Sequence, residues 1–483
     1  MPRDLYERES NFMRNRISLV SGRFRVGVAV ALLTVGATGC DHLLQVQDPD
    51  VVTPVQVSGP DKLSTNLGAS IGAFQVGFGG DGSGGNEGLV NMTGLFTDEF
   101  TFAETFPTRK VVDQRNTSNN NSTLLTIFFN IEQARAISAN ASDQYNQFGA
   151  SDADHAQVLS LEAYSQLLMA ETYCGAVPFS KQNNDGTQSN NTPLTTAQML
   201  ATAVATFDSA INVADAAGDA SRDAVARIGK ARALMDFGGD SMQVADTVVA
   251  SVPTTFQELV LHSENTTREN NGIFELMYSE KRWSVADSEG VNGIPFISAH
   301  DPRLGTELIG TFNRTGHSKG FDGATLVTIP LKDSTRSSPE VLASGVEARL
   351  IQAEAALGRG DLVTWLSDLN ALRASATSLG VDSTLAPLVD PGVANPNGRI
   401  LLTMRERAFW LYASAHRLGD MRRLTRAPGG AVAGYGLDPL KVYPVGPWKN
   451  TTTNFGNEVN FPIPFEEGNN PNFNASQCDV TQP

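Results

Sequence analysis

The chain has 483 residues, enough to bury a sizeable core in one or two large lobes. Hydrophobic residues make up 41% and charged residues 18%, which excludes a disordered or fibrous chain. A net charge of −16 excludes a nucleic-acid footprint, which needs clustered Lys and Arg to neutralise phosphates, and argues against a strongly anionic polymer as ligand.

Arg14, Arg16, Arg23 and Arg25 precede the uncharged run from Val26 to Ala37, a positive n-region followed by an apolar h-region. A spanning helix needs about 20 apolar residues, so this run is too short to remain in a bilayer and marks a cleaved segment. Ala37, Thr38 and Gly39 lead into Cys40, a pattern that resembles the lipobox of exported lipoproteins with Ala37 in place of the usual Leu. Residues 1–39 are therefore expected to be a signal peptide. Met13 is the better start, because Asp4, Glu7 and Glu9 do not belong in a positive n-region. Cys40 is expected to carry the lipid, and Pro49, Pro54 and Pro60 keep 40–60 from forming a regular helix, leaving a tether.

Leu63, Leu67, Ile71 and Phe74 recur at spacings of four or three and predict a helix over 61–75. The glycines between Gly77 and Gly88 predict a flexible loop. Further helices are predicted at about 122–142, 152–174, 195–217 and 221–237, and helical periodicity returns at 341–375 and 399–426. Between these, Gly, Pro, Asn and Ser punctuate short apolar runs such as Ile273–Tyr278 and Ala324–Ile329, so 241–339 reads as an irregular lobe with a few short strands. The Pro- and Asn-rich remainder, 427–483, reads mostly as loop and belongs with that lobe.

Within 346–372, two helices meet at Gly358-Arg359-Gly360-Asp361. The glycines supply a tight turn, Asp361 can cap the second helix, and Ala353 and Ala356 let the pair approach closely. This resembles a tetratricopeptide unit, although no strict 34-residue array is visible. The expected fold is mainly α: a tetratricopeptide-like helical-hairpin body with an irregular, loop-rich lobe.

The segment Met404 to Leu424 carries Arg405, Glu406, Arg407, Phe409, His416, Arg417, Asp420, Arg422 and Arg423 at the positions of a motif in the SusD/RagB family of nutrient-binding lipoproteins, which the chain resembles. Ala415 stands where that family has a glycine, and Leu418-Gly419 where it has an aromatic pair. Ala170–Phe179, Phe461-Pro462-Ile463-Pro464-Phe465 and Asn470-Pro471 are similar to other family signatures, so the resemblance spans nearly all of 61–483. It implies a lipid-anchored protein on the outer-membrane surface. Such a protein captures an oligosaccharide or peptide and passes it to a SusC-like, TonB-dependent barrel, with no cofactor. It also implies sugar stacking on aromatic faces, for which Trp283, Tyr278 and Phe296 are the leading candidates and Tyr443 and Trp448 further ones.

Glu406, His416, Arg417 and Asp420 invite a catalytic reading. Yet Leu401, Met404, Ala408, Leu411, Ala415, Leu418 and Met421 form an apolar stripe, so Arg407, His416, Arg417, Asp420 and Arg422 read instead as ion pairs bracing helices. Gly68-Ala69-Ser70-Ile71-Gly72 spells a nucleophile elbow but follows a helical pattern rather than a strand. No metal or nucleotide motif is present. An exported location favours a disulfide between Cys174 and Cys478, the alternative being two buried free thiols. A lipid-anchored hydrolase and an adaptor binding only protein remain the rival readings.

Overall fold

In the computed structural model, residues 57–82, 85–150, 152–183, 187–308, 319–395 and 397–483 are described. The signal peptide, Cys40 and the tether up to residue 56 lie outside the described residues.

Helices follow one another as neighbours in space. They are α1 (Leu63–Gly79), α2 (Leu89–Phe96), α3 (Pro107–Asp113), α4 (Ser122–Gln147), α5 (Ala153–Thr172), α6 (Thr196–Ala217), α7 (Ala220–Phe237) and α8 (Ser241–Val248). After the irregular lobe come α9 (Gly345–Gly358), α10 (Leu362–Ala374), α11 (Gly398–Trp410) and α12 (Arg417–Thr425). α1 packs on α4, and α4 through α8 each pack on the next; α9 then packs on α8 and α10, and α12 returns to α5 and α2. The protein is thus mainly α, a stack of helical hairpins with a few short strands.

Local chemistry fixes the hairpins. Thr195 and Gln198 form a reciprocal capping box at the start of α6. α6 ends on Gly218 at φ 69°, and the next residue, Asp219, accepts hydrogen bonds from the backbone N–H groups of Ser221 and Arg222 to open α7. The same logic joins α9 to α10, where Gly360 turns at φ 78° and the Asp361 side chain caps Thr364.

Two sequence expectations are corrected here. The first helix does not stop at residue 75 but runs to Gly79, because a side chain at Gly77 would meet the α4 backbone at Asn130 O, 3.1 Å away. Glycine serves close packing there rather than flexibility. Likewise 399–426 is not one helix: the chain breaks between α11 and α12, where Ala413 and Ala415 adopt φ values of 51° and 60°. Within the irregular lobe, the apolar run Ile273–Tyr278 forms helical turns opened by the Asn271 side chain, which accepts from Phe274 N–H.

The strands form two-residue to five-residue antiparallel ribbons. β1 (Phe100–Phe102) pairs with β5 (Trp283–Val285), placing Phe100 opposite Val285 and joining the helical body to the irregular lobe. β2 (Lys181–Gln182) pairs with β3 (Gln188–Ser189), β4 (Gln257–Val260) with β8 (Glu340–Ser344), and β6 (Thr306–Leu308) with β7 (Thr328–Pro330).

Candidate ligand-binding cleft

A cavity of about 930 Å³ opens where β1, the loop after β5, the 322–328 turn and the 447–451 turn meet. That volume suits a ligand of several rings. Thr101 and Phe102 come from β1, Asp287 and Glu289 from the loop, and Trp448 and Lys449 from the last turn.

Trp448 is the cleft's buried aromatic, 7% exposed. Its indole N–H donates to Asp113 Oδ2 at 2.7 Å, and its ring centre lies 6.3 Å from that of Phe102. The ammonium groups of Lys110 and Lys449 sit 5.1 and 5.6 Å from the Trp448 ring. Lys449 holds the turn shut by donating to Phe102 O and, at 2.6 Å, to Thr325 Oγ1. Asp322 orders the facing turn, accepting from Ala324 N, Thr325 N and Thr325 Oγ1. Its partial burial works to raise its pKa, but those hydrogen bonds and Lys449 hold it below the usual carboxylate range.

Beside the cleft, the Arg282 guanidinium lies between the rings of Phe106 and Phe321, 4.9 Å from each centre. Buried Glu104 fixes this arrangement, accepting from Arg282 Nη1 at 3.0 Å, Arg109 Nη1 at 3.0 Å and Trp283 Nε1 at 3.1 Å. Phe106 and Phe321 are 48% and 60% exposed, so each ring has free surface next to Thr105 and Asp322 of the cleft.

Of the aromatics favoured from sequence, Trp283 and Phe296 are corrected. Trp283 is fully buried, its indole N–H spent on Glu104. Phe296 packs in the core between Phe409 and Tyr412, with ring centres at 5.3 and 4.9 Å. Neither presents a face to a ligand. Tyr278 is half-buried and stacked on Phe274 at 4.9 Å, and it does not line the cleft. Tyr443 is also core, donating to Val459 O. Phe106 and Phe321 were not singled out from sequence, since a lone Phe in a loop carries no pattern.

Apart from the exposed Arg405, the charged residues of 404–424 are buried braces. Arg417 grips Asp98 with two hydrogen bonds of 2.7 and 2.8 Å, and Arg423 grips Glu354 with two of 3.0 Å. Arg422 donates to Ala170 O at 2.7 Å, tying α12 to α5. Ser414, His416 and Glu347 have the composition and spacing of a catalytic triad, with Ser414 Oγ 2.9 Å from His416 Nδ1 and Glu347 Oε1 3.0 Å from His416 Nε2, but the ring's proton sits on the wrong nitrogen. The Ser414 hydroxyl donates to Leu411 O at 2.5 Å, and His416 Nδ1 lies 2.8 Å from Ser414 O, so it must carry the ring's proton. The acceptor nitrogen, Nε2, faces Arg232 Nη1 at 3.0 Å, away from the serine. Burial and then the Arg232 charge lower the His416 pKa, keeping the ring neutral. A base whose lone pair faces a guanidinium cannot deprotonate Ser414.

Cys174 and Cys478 are joined by a disulfide. Among the described residues, no cluster of His, Cys, Asp and Glu could hold a metal ion, and no helix is long and apolar enough to cross a membrane.

No protein-family model matches the chain, and no curated protein matches it in sequence. Solved structures match its fold over most of its length. A SusD superfamily protein from Parabacteroides distasonis aligns over 85% of this chain and 98% of its own, at 12% identity and a TM-score of 0.59. A SusD-like carbohydrate-binding protein from Bacteroides fragilis aligns over 86% and 99%, at 14% identity and 0.58. A SusD/RagB family protein from Bacteroides thetaiotaomicron aligns over 88% and 96%, at 14% identity and 0.56. The architecture is therefore that of a helical-hairpin protein with an appended irregular lobe. More specifically, it is the SusD-like fold.

Proposed function

We propose that this chain is a surface nutrient-binding lipoprotein, anchored through Cys40 to the outer membrane. It captures an oligosaccharide in the 930 Å³ cleft and delivers it to a SusC-like, TonB-dependent barrel. The observation that carries this reading is the cleft itself, which combines Trp448 with hydroxyl, carboxylate and ammonium groups suited to sugar hydroxyls, with the exposed Phe106 and Phe321 adjacent in sequence to its lining residues Thr105 and Asp322. The carbohydrate-binding description of the Bacteroides fragilis neighbour supports the ligand class, with a peptide as the alternative. The blocked Ser414–His416 geometry weighs against a hydrolase.

An array of soluble oligosaccharides, followed by calorimetry on the hits and chromatography of the recovered ligand, tests the proposal. Binding with the ligand returned unchanged is the expected result. Turnover abolished by Ser414→Ala would establish the hydrolase instead. The anchor and partner are read out separately: Cys40→Ala should release the protein from membranes, and the unaltered protein should co-isolate with a TonB-dependent barrel.

A further inference from the structure

A second cavity, of about 250 Å³, lies at the break between α11 and α12 and shares no lining residue with the cleft. Glu347, near the start of α9, and Ser414 and His416, from the break, form its buried wall. Trp410, the last residue of α11, stands beside them, and the exposed Lys332 and half-buried Val381 lie on its solvent side. One water occupies about 30 Å³ in the liquid, so this space admits a small molecule.

Two polar atoms of these residues, Glu347 Oε2 and Trp410 Nε1, are buried with no hydrogen-bond partner among the described residues. Glu347 is 1% exposed, and its Oε1 lies 3.0 Å from His416 Nε2, so Oε2 is an acceptor whether or not Oε1 carries a proton. The Trp410 indole N–H can only donate. Both residues are held in place: the Glu347 backbone N–H donates to Ser344 Oγ at 3.1 Å, and the Arg303 guanidinium lies 5.3 Å from the Trp410 ring centre while tied to Asp301 and Glu406 at 2.6 and 2.7 Å. A buried donor and a buried acceptor left unmet each cost free energy, which a ligand that answers both recovers. An anion would set its charge against Glu347 Oε2. A cation would meet the Lys332 ammonium, which donates to Tyr412 O at 2.5 Å and to Ala413 O at 3.1 Å. A neutral hydroxyl both donates and accepts, and the apolar Val346 and Leu411 on the same walls suit the C–H faces of a polyhydroxylated molecule.

We propose that this cavity is a second ligand site, taking a single small neutral polyhydroxylated molecule, one sugar ring or a polyol of similar size, with one hydroxyl donating to Glu347 Oε2 and another accepting from Trp410 Nε1. Ser414 and His416 line it in the arrangement that blocks proton abstraction, so the ligand is held without turnover. The site uses none of the cleft's residues and does not depend on the reading given to the cleft.

Trp283, Trp365, Trp410 and Trp448 are the chain's tryptophans, so each gives one indole N–H resonance in a nitrogen-labelled sample, and Trp410→Phe assigns the one at this site. Titration with glucose, and separately with xylitol, should shift the Trp410 resonance saturably with at least one of the two, while Trp448 reports on the cleft in the same spectra. Glu347→Met keeps a similar side-chain volume but removes the acceptor, and should weaken the Trp410 response about three- to tenfold. Val381→Phe should fill the opening and abolish the response. Unmoved resonances from the fully buried Trp283 and Trp365 show that a variant keeps the fold. Should Glu347→Met not fold, Val381→Phe carries the comparison. No shift at Trp410 with either probe, a shift at Trp448 alone, or an undiminished response in a folded variant overturns the second site.

Discussion

Arg407 on α11 holds Asp420 on α12 through paired hydrogen bonds of 2.8 and 2.9 Å, bridging the break between the two helices. Arg423 adds a third bond to Asp420 at 2.9 Å. Burial alone would raise the Asp420 pKa, but the Arg407 and Arg423 charges hold it far below the usual carboxylate range. A depressed folded-state pKa gives stability that is present above the unfolded value, about 3.9, and lost as the pH falls through the folded one. Asp420→Asn leaves two buried guanidiniums short of a counter-charge and should cost about 3–5 kcal/mol at neutral pH. Denaturant unfolding at about pH 7 and about pH 3 checks this, since the deficit should shrink at the lower pH. An unchanged deficit would mean that the ion pair is not its source.

The disulfide closes a sequence separation of 304 residues, pinning the tail where Phe461 N–H also donates to Thr172 O. Cys478→Ser should therefore lower stability by about 2–5 kcal/mol in the loop-entropy view. Comparing guanidinium midpoints of the oxidised protein and this variant measures the effect. Alkylation of denatured, unreduced protein should label neither Cys174 nor Cys478.

Most of the hairpin body was legible because its long helices announce themselves locally, whereas the short helices α2 and α3 gave no such signal and α8 fell inside the stretch read as an irregular lobe. Apolar residues recur at helical spacing, and Asp219, Asp361 and Thr195 stand where caps are needed. The break between α11 and α12 was not legible, because Leu411, Ala415 and Leu418 keep helical spacing straight through it. Only the glycine that the family places at position 415 hinted at a left-handed residue, and Ala415 adopts φ 60° without one. The cleft was legible in one residue, Trp448, because a Trp in a Pro-rich loop is visible in sequence. Trp283 misled for the converse reason: it follows the charged pair Lys281-Arg282 in sequence, but the ring belongs to strand β5 and is drawn into the core by Glu104.

Phe321 and Trp448 should separate binding from folding. Phe321 is 60% exposed, so Phe321→Ala should change stability by less than about 0.5 kcal/mol. Stacking on an aromatic face contributes about 0.5–1.5 kcal/mol, so the same change should weaken oligosaccharide binding about three- to tenfold. Trp448→Ala should weaken it further, since it also strands Asp113 without its indole donor. Phe129→Ala, at an equally exposed ring on α4, is the control and should leave affinity unchanged. Calorimetric titration of the three variants decides the matter; equal losses at Phe129 and Phe321 would remove the rim from the site.

His262 and Glu340 form a second buried pair, with His262 Nε2 and Glu340 Oε2 3.1 Å apart and both side chains fully buried. His262 Nδ1 lies 3.1 Å from Glu269 O and 3.3 Å from Gln75 Nε2, and a hydrogen on Nε2 is what lets the ring donate to the Glu340 carboxylate. Burial works to lower the His262 pKa, yet Glu340 outweighs it and the net direction is up. Because the folded pKa is raised, the pair's stabilisation is fully present below the unfolded value, about 6.5, and is lost as the pH rises through the folded one. Space around the pair is fully used: a side chain at Gly79 would lie 2.5 Å from Glu340 Oε2 and 2.7 Å from His262 Cε1. His262→Gln, which cannot carry the charge, should thus be less stable than the unaltered protein in mildly acid solution. The two should converge as the solution becomes alkaline. Thermal melts of both proteins across about pH 5 to 9 measure this directly. A gap that widens with pH would mean that His262 is held neutral.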